Sequence, residues 1–176
     1  MIVYDENVVT EDEMIIRSMR AEDIDAVHQI ERLVFIQPWT RESFERELTA
    51  NKNVARYLVV ECQGRVIGYG GMWLVMEEGH ITNVAIHPDF HGQGFGSALV
   101  DAMLITAQDL GIVYITLECR KSNLNARHVY EQHGFTYVGL RKRYYEDNQE
   151  DAALYVHQNV QTYVPMVYIS NDVGRL

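Results

Sequence analysis

Apolar residues recur along the chain with two periods. At Ile24, Val27, Ile30 and Val34 the spacing is three or four, which marks one face of a helix over 21–34. Glu22 and Asp23 in its first turn suit the positive end of the helix dipole. Thr40 stands where an N-cap would open a second helix reaching Leu48. Leu99, Met103, Ala107 and Leu110 define one face of a third helix that Gly111 stops. Ser122 or Asn123 can cap a short fourth helix running to about His133, before Gly134. Between these lie strand-like runs at 14–19, 55–61, 65–75, 79–86, 112–119, 136–145 and 152–157. Gln63-Gly64 is a hairpin signal, and Glu77-Glu78-Gly79 reads as a tight acidic turn. The order β α α β β β α β α β β predicts a mixed sheet with helices on both faces, in the α/β to α+β range.

Length and composition narrow the class. A chain of 176 residues suits one domain with a full core. Three prolines, no repeat and no low-complexity linker keep one domain as the expectation. Residues 1–13 read as a mobile acidic leader, 14–159 as the domain, and 160–176 as a C-terminal extension. That extension is apolar in patches (Tyr163, Val164, Met166, Val167, Tyr168, Ile169), suited to packing on the sheet or on a partner. No apolar run approaches the roughly 18 residues that span a bilayer. The leader also lacks a basic flank followed by an apolar stretch, so a cytoplasmic protein off the membrane is expected. A net charge of −10 offers no basic face for nucleic acid; it favours a basic partner weakly, and solubility alone would explain it. Cys62 and Cys119 sit in strand-like runs as buried reduced thiols. The seven histidines are scattered without helical pairing, so no metal site is expected.

The stretch with chemical promise is His91-Gly92-Gln93-Gly94-Phe95-Gly96, between a strand and an amphipathic helix. Three glycines let backbone N–H groups approach a ligand closely. The helix N-terminus behind them adds partial positive charge, which suits a phosphate or pyrophosphate. A plain strand-to-helix turn would also welcome glycine. A P-loop fails, because Ser97 and Ala98 follow Gly96 and no lysine is present. A Rossmann fingerprint is nearer, with Glu118 ending the next strand at about the spacing of a ribose-binding acid. However, residues 87–90 intervene after the strand, and the glycine spacing does not fit.

The loop resembles the acetyl-CoA loop of the GNAT superfamily of N-acetyltransferases, Gln/Arg-x-x-Gly-x-Gly/Ala. It matches at Gly94 and Gly96 and departs at the first position, where His91 still offers a donor. Ile81-Thr82-Asn83-Val84-Ala85-Ile86-His87-Pro88 resembles the family strand before the loop. Leu117-Glu118-Cys119-Arg120-Lys121-Ser122-Asn123 and Ala126-x-x-x-Tyr130-x-x-x-Gly134-Phe135 follow at the spacing of the next family motif. Phe35-x-x-Pro38-Trp39-Thr40 with Phe44 and Glu47-Leu48 at the front, and Arg-Lys-Arg-Tyr-Tyr at 141–145 with Glu150-Asp151-Ala152 behind, complete the pattern. Over about residues 14–157 this combination is similar to the RimI branch, the ribosomal-protein alanine N-acetyltransferases. Cys119 stands where that branch more often carries valine.

The resemblance implies a GNAT fold, acetyl-CoA as cosubstrate and direct transfer of acetyl to an α-amine. No local serine or cysteine nucleophile motif argues for an acyl-enzyme instead. An N-terminal amine is mostly ammonium below its reference pKa of about 7.7–8.0, so a carboxylate must take a proton. Alternation over 115–119 puts Leu117 and Cys119 on one face and Thr116 and Glu118 on the other. The family places its general base at Glu118; a salt bridge with Arg120 or Arg141 is the structural alternative. Tyr130 matches the family's general acid for the departing thiolate, or serves as an aromatic anchor. Backbone N–H groups of Val84, Ala85 and Ile86 are the family's oxyanion and pantetheine contacts. Gly92, Gln93, Gly94, Phe95, Gly96 and Ser97 would hold the pyrophosphate, with Asn123 at the CoA arm or simply capping its helix. Trp39, Met72, Tyr144 and Tyr145 are acceptor-side candidates, and Glu146, Asp147, Glu150 and Asp151 would draw a basic peptide. The expected partner is the N-terminus of a ribosomal protein, met by a monomer or weak dimer. The alternatives are a GNAT enzyme of a small amine or lysine side chain, and a non-catalytic acyl-CoA-binding module.

Overall fold

The computed structural model describes residues 14–166; the acidic leader and Val167, Tyr168 and Ile169 of the extension lie outside the described residues. Seven strands form one sheet: β1 (Met14–Ser18), β2 (Ala55–Cys62), β3 (Arg65–Val75), β4 (Glu78–Ile86), β5 (Tyr114–Arg120), β6 (Thr136–Arg141) and β7 (Ala152–His157). Their order is β1-β2-β3-β4-β5-β7-β6. All neighbours are antiparallel except β4 and β5, which run parallel. Four helices cover it: α1 (Ile24–Val34), α2 (Arg41–Leu48), α3 (Phe95–Asp109) and α4 (Leu124–Gln132).

Strand alternation divides the core between the two faces. Leu58, Val60 and Cys62 of β2 join α3 and the inner side of α4, while Tyr57 and Val59 join α1 and α2. On the α1–α2 face, Phe44 meets Tyr57 and Tyr69 edge-on at 6.4 and 5.5 Å between ring centroids. Beneath that face lies a buried carboxylate. Glu31 accepts from the Trp39 N–H at 2.9 Å and from the Tyr69 hydroxyl, and so ties the connection between α1 and α2 to β3. Burial pushes its carboxyl above the usual range.

Most element boundaries follow the sequence pattern. Thr40 caps α2 by accepting from the Ser43 N–H, and Asn123 caps α4 by accepting from the Ala126 N–H. Gln63 and Gly64 both take positive φ in the β2–β3 hairpin. Three details differ. The first turn of the predicted 21–34 helix is a 3₁₀ turn, because Asp23 turns back to Arg17 and to the Arg20 N–H. The β3–β4 turn is Met76-Glu77, with Met76 at φ 56°, and Glu78 and Gly79 of the expected turn already belong to β4. β6 ends at Arg141 rather than Tyr145, because Arg143 and Gln149 take positive φ in the loop that follows.

The start of the extension belongs to the domain. Val160 is buried and donates its N–H to the Val113 carbonyl. Asp101, fully buried on α3, accepts from the Tyr163 hydroxyl and from the Met166 N–H, and faces His133 Nε2 at 3.5 Å. Burial alone would push the Asp101 carboxyl up. The hydrogen bonds from His133, Tyr163 and Met166 outweigh it and hold the group below the usual range.

The folded-state value being the lower one, this contribution is complete above the unfolded pKa of about 3.9 and is lost as pH falls through the folded value. Removing one hydrogen bond to a buried charge by Tyr163→Phe should cost about 1.5–3 kcal/mol, read as a lower urea midpoint with unchanged slope. The stability gap between wild type and Asp101→Asn should hold constant above about pH 4 and shrink as pH falls below it. A gap independent of pH would show that the Asp101 charge contributes nothing.

Candidate active site

The parallel pairing of β4 with β5 runs only from Glu78↔Tyr114 to Ile81↔Leu117. Beyond it β4 continues to Ile86 and β5 to Arg120 without pairing to each other. A bulge accompanies the separation: Gly71 pairs with Asn83 and Met72 with Ile81, leaving Thr82 as the extra residue on β4. On the β5 side the backbone groups of Val84 and the N–H of Ile86 are thereby left without a strand partner, while Ala85 is paired with Tyr69 of β3 and the Ile86 carbonyl is taken by His91. This is the condition for hydrogen-bonding an extended ligand as an added strand would.

At the end of β4, a cavity of about 390 Å³ lies between the phosphate-type loop, α3 and α4. His91, Gly92, Gly94, Phe95, Gly96 and Ser97 line it, with Val84, Ala85 and Ile86 on one side and Asn123 and Tyr130 on the other. Gln93 is not part of the wall; its amide donates back to the Asp89 carbonyl. Gly92 and Gly94 take φ of 74° and 87°, conformations that disfavour any side chain. Gly94 opens α3 without a side-chain cap, so the first-turn N–H groups of that helix remain available to an anion. The structure corrects one expectation. His91 Nε2 lies 2.7 Å from the Ile86 carbonyl, so the single N–H of the neutral ring is engaged there and not by a phosphate.

Ser97 is supported from behind. Its Oγ lies 3.2 Å from His133 Nε2, while His133 Nδ1 lies 2.7 Å from the Val129 carbonyl. Burial lowers the affinity of His133 for its proton. Asp101 and the Val129 carbonyl outweigh it, so the net shift is upward.

Tyr130 and Glu118 stand on opposite faces of the sheet. Tyr130 is buried against Phe135 and Tyr155, with centroids 5.8 and 6.3 Å away, and burial pushes its phenol well above the usual value. The burial alternation of β5 matches the expected two faces, with Leu117 and Cys119 inward towards α3 and α4. Desolvation pushes the Cys119 thiol up to about 11, which makes it a poor nucleophile. Glu118 faces the α1–α2 side, largely covered, with both oxygens engaged: Oε1 meets Arg141 Nη1 at 3.0 Å and Oε2 meets His80 Nε2 at 3.2 Å.

The acceptor-side residues divide. Met72 is fully buried in the core on the α3 side, because alternation along β3 turns it away from Glu118; it is not available to an acceptor. Its neighbour Trp73 faces the α1–α2 side, half exposed, and donates its indole N–H to Glu47. Trp39 packs on Phe44 at 5.7 Å and helps line a shallow second depression with Pro38 and Arg41. Tyr144 is exposed beside the Arg141 guanidinium, and Tyr145 lies beneath Arg120 at 4.0 Å. The acids around them mostly hold the β6–β7 loop together: Asp147 and Glu150 bind Arg120, and Asp151 accepts from the Arg143 N–H. Three positioning features went unread in the sequence: His80, Glu31 and the Thr82 bulge. Each depends on a neighbour far away along the chain.

Comparison with known proteins matches residues 24–135 to the acetyltransferase (GNAT) family. The chain belongs to this family. GNAT proteins are acetyl-CoA-dependent acyltransferases, so this chain is an acetyl-CoA-dependent N-acetyltransferase, and the loop and cavity above fit that cosubstrate. A Bacillus subtilis (strain 168) relative, provisionally named a ribosomal protein bS18-alanine N-acetyltransferase, is 42% identical over 139 residues, covering 79% of this chain and 91% of the relative. The Escherichia coli (strain K12) ribosomal protein bS18-alanine N-acetyltransferase is 30% identical over 143 residues, covering 79% and 93%. The crystal structure of the Escherichia coli ribosomal-protein-S18-alanine N-acetyltransferase superposes with a TM-score of 0.77 at 25% identity, covering 89% of this chain and all of that one. Among the described residues, no helix is long and apolar enough to cross a membrane.

For a GNAT loop of this geometry, Gly94→Ala forces a side chain into left-handed backbone at a cost of roughly 1–2 kcal/mol. Acetyl-CoA KM should rise on the order of tenfold while the folded far-UV spectrum persists. An unchanged KM would remove Gly94 from the phosphate cradle.

Proposed function

We propose that this chain transfers the acetyl group of acetyl-CoA to the N-terminal α-amine of a protein, and that the acceptor is an N-terminal alanine of a ribosomal protein. The observation that carries the reading is the placement of Glu118 and Tyr130 on opposite faces of the sheet, beside the point where β4 and β5 stop pairing. The names of the Bacillus and Escherichia relatives support the acceptor class.

Bound acetyl-CoA supplies an activated thioester. Gly92, Gly94, Phe95, Gly96 and Ser97 hold its diphosphate through backbone N–H groups and the Ser97 hydroxyl. Val84, Ala85 and Ile86 line the arm, and a backbone N–H from this stretch is the donor for charge on the carbonyl oxygen, the Ile86 carbonyl being already engaged by His91. Asn123 borders the same wall while capping α4. On the other face, Glu118 takes the proton of the incoming ammonium, directly or through one water. Tyr130, kept protonated by burial, returns a proton to the leaving sulfur. Trp39, Tyr144 and Tyr145 border the approach of the acceptor chain. The acids tied to Arg120 leave the recognition of a basic peptide mainly to Glu146 and the open side of the loop.

Thiol release should be fast with free peptides beginning in alanine and absent with the acetyl-alanine version. Release only with spermidine, or only from lysine in the blocked peptide, would replace the acceptor while keeping the cofactor. Glu118→Gln should lower kcat by roughly 10²–10⁴-fold. Tyr130→Phe should lower kcat by less, with acetyl-CoA KM unchanged, since a thiolate leaves without much help.

A further inference from the structure

The cavity wall around the phosphate-type loop carries neither lysine nor arginine among its described residues. Its histidine, His91, is engaged with the Ile86 carbonyl. An anion held there meets backbone N–H groups and the start of α3, but no full positive charge on the wall. A charge lies one layer behind. His133 is fully buried, as is Asp101, one turn along α3 from Ser97. Nδ1 of His133 lies 2.7 Å from the Val129 carbonyl, which can only accept, so Nδ1 carries a hydrogen. Nε2 faces Asp101 Oδ1 at 3.5 Å and Ser97 Oγ at 3.2 Å. A bare Nε2 would set a lone pair against a carboxylate oxygen. The ionised Asp101 therefore favours a second ring hydrogen there, which makes the ring an imidazolium. The same Oδ1 accepts from the Tyr163 hydroxyl and from the Met166 N–H. His157 of β7 also faces His133, and burial favours its neutral form.

We infer that His133 is a positioning residue for acetyl-CoA, whose buried imidazolium behind Ser97 offsets Asp101 and lets the loop take a diphosphate. The inference rests on the placement of the diphosphate at residues 92–97 given above, and it names what supplies positive charge to that site. The reason is electrostatic. With the ring charged, the Asp101–His133 pair is neutral, and its positive end lies against Ser97. Without that charge, a buried carboxylate would stand behind the cradle with little solvent to screen it, and it would repel the diphosphate. Tyr163 and Met166 hold the same carboxylate from the C-terminal extension. Residues 160–166 thereby support the cofactor site without lining its cavity.

The test is the Kd of acetyl-CoA, by calorimetry at neutral pH, for wild type, His133→Gln, Asp101→Asn and the double variant. Turnover of acetyl-pantetheine, a donor without the diphosphate, is measured beside it. His133→Gln leaves the Asp101 charge uncompensated and should weaken acetyl-CoA on the order of tenfold. Asp101→Asn removes the opposing charge and should stay within about threefold of wild type. The double variant should recover most of the loss seen in His133→Gln. kcat/KM for acetyl-pantetheine should keep its wild-type value in all three variants, which a general packing defect would not allow. An unchanged Kd in His133→Gln, a double variant as weak as that single one, or an equal fall with both donors overturns the inference while leaving acetyl-CoA as cosubstrate. No binding of acetyl-CoA by the wild type overturns the cofactor placement and the inference with it.

Discussion

The early end of pairing between β4 and β5 is the constraint on which the rest of the site depends. Two parallel strands that stayed in register to their ends would satisfy each other's backbone groups and leave nothing for a ligand. Here the ladder stops at Ile81 and Leu117, and the bulge at Thr82 helps turn β4 away. Four consequences follow from that single departure. The backbone of β4 beyond Ile81 loses its β5 partner. A cavity forms at the start of α3. Tyr130 is reached from one face, and Glu118 is reached from the other.

The two faces then take different work because they are built from different materials. The α3–α4 side is apolar around the cavity, with glycines and helix N–H groups at one end, and its polar support lies a layer behind in the Ser97–His133–Asp101 chain. The α1–α2 side carries charge: Glu118 between Arg141 and His80, Glu47 under Trp73, and Glu31 under Trp39. Under the proposed transfer, the charged side would take the proton from the amine and the other would hold an apolar arm with a diphosphate head. Residues 160–166 reinforce this arrangement, since Tyr163 and Met166 bind the same Asp101 that faces His133.

The comparison with relatives fixes the family and the cosubstrate class, and the geometry accounts for both. The acceptor rests on narrower ground. The loop between β6 and β7 uses Arg120 to gather Asp147 and Glu150, so its acidity is partly internal structure and only partly available to a partner. Tyr144 stays exposed beside Arg141, whose guanidinium meets Glu118.

The sequence by itself determined the elements and the cofactor loop, because those are local. Helical spacing at Ile24, Val27 and Ile30, the caps at Thr40 and Asn123, and glycines where φ must be positive need no distant neighbour to be read. The motif resemblance likewise assigned Glu118 and Tyr130 by position. Tertiary structure alone decided which side chains meet. Parallel pairing of His80 with Thr116, residues 36 apart in the chain, places an imidazole against Glu118, and no periodicity contains that register. The same holds for Met72, whose apolar character allowed either face until β3 was placed between β2 and β4. His91 was legible as a donor, but the Ile86 carbonyl that takes its hydrogen became its neighbour only when the loop folded back on β4.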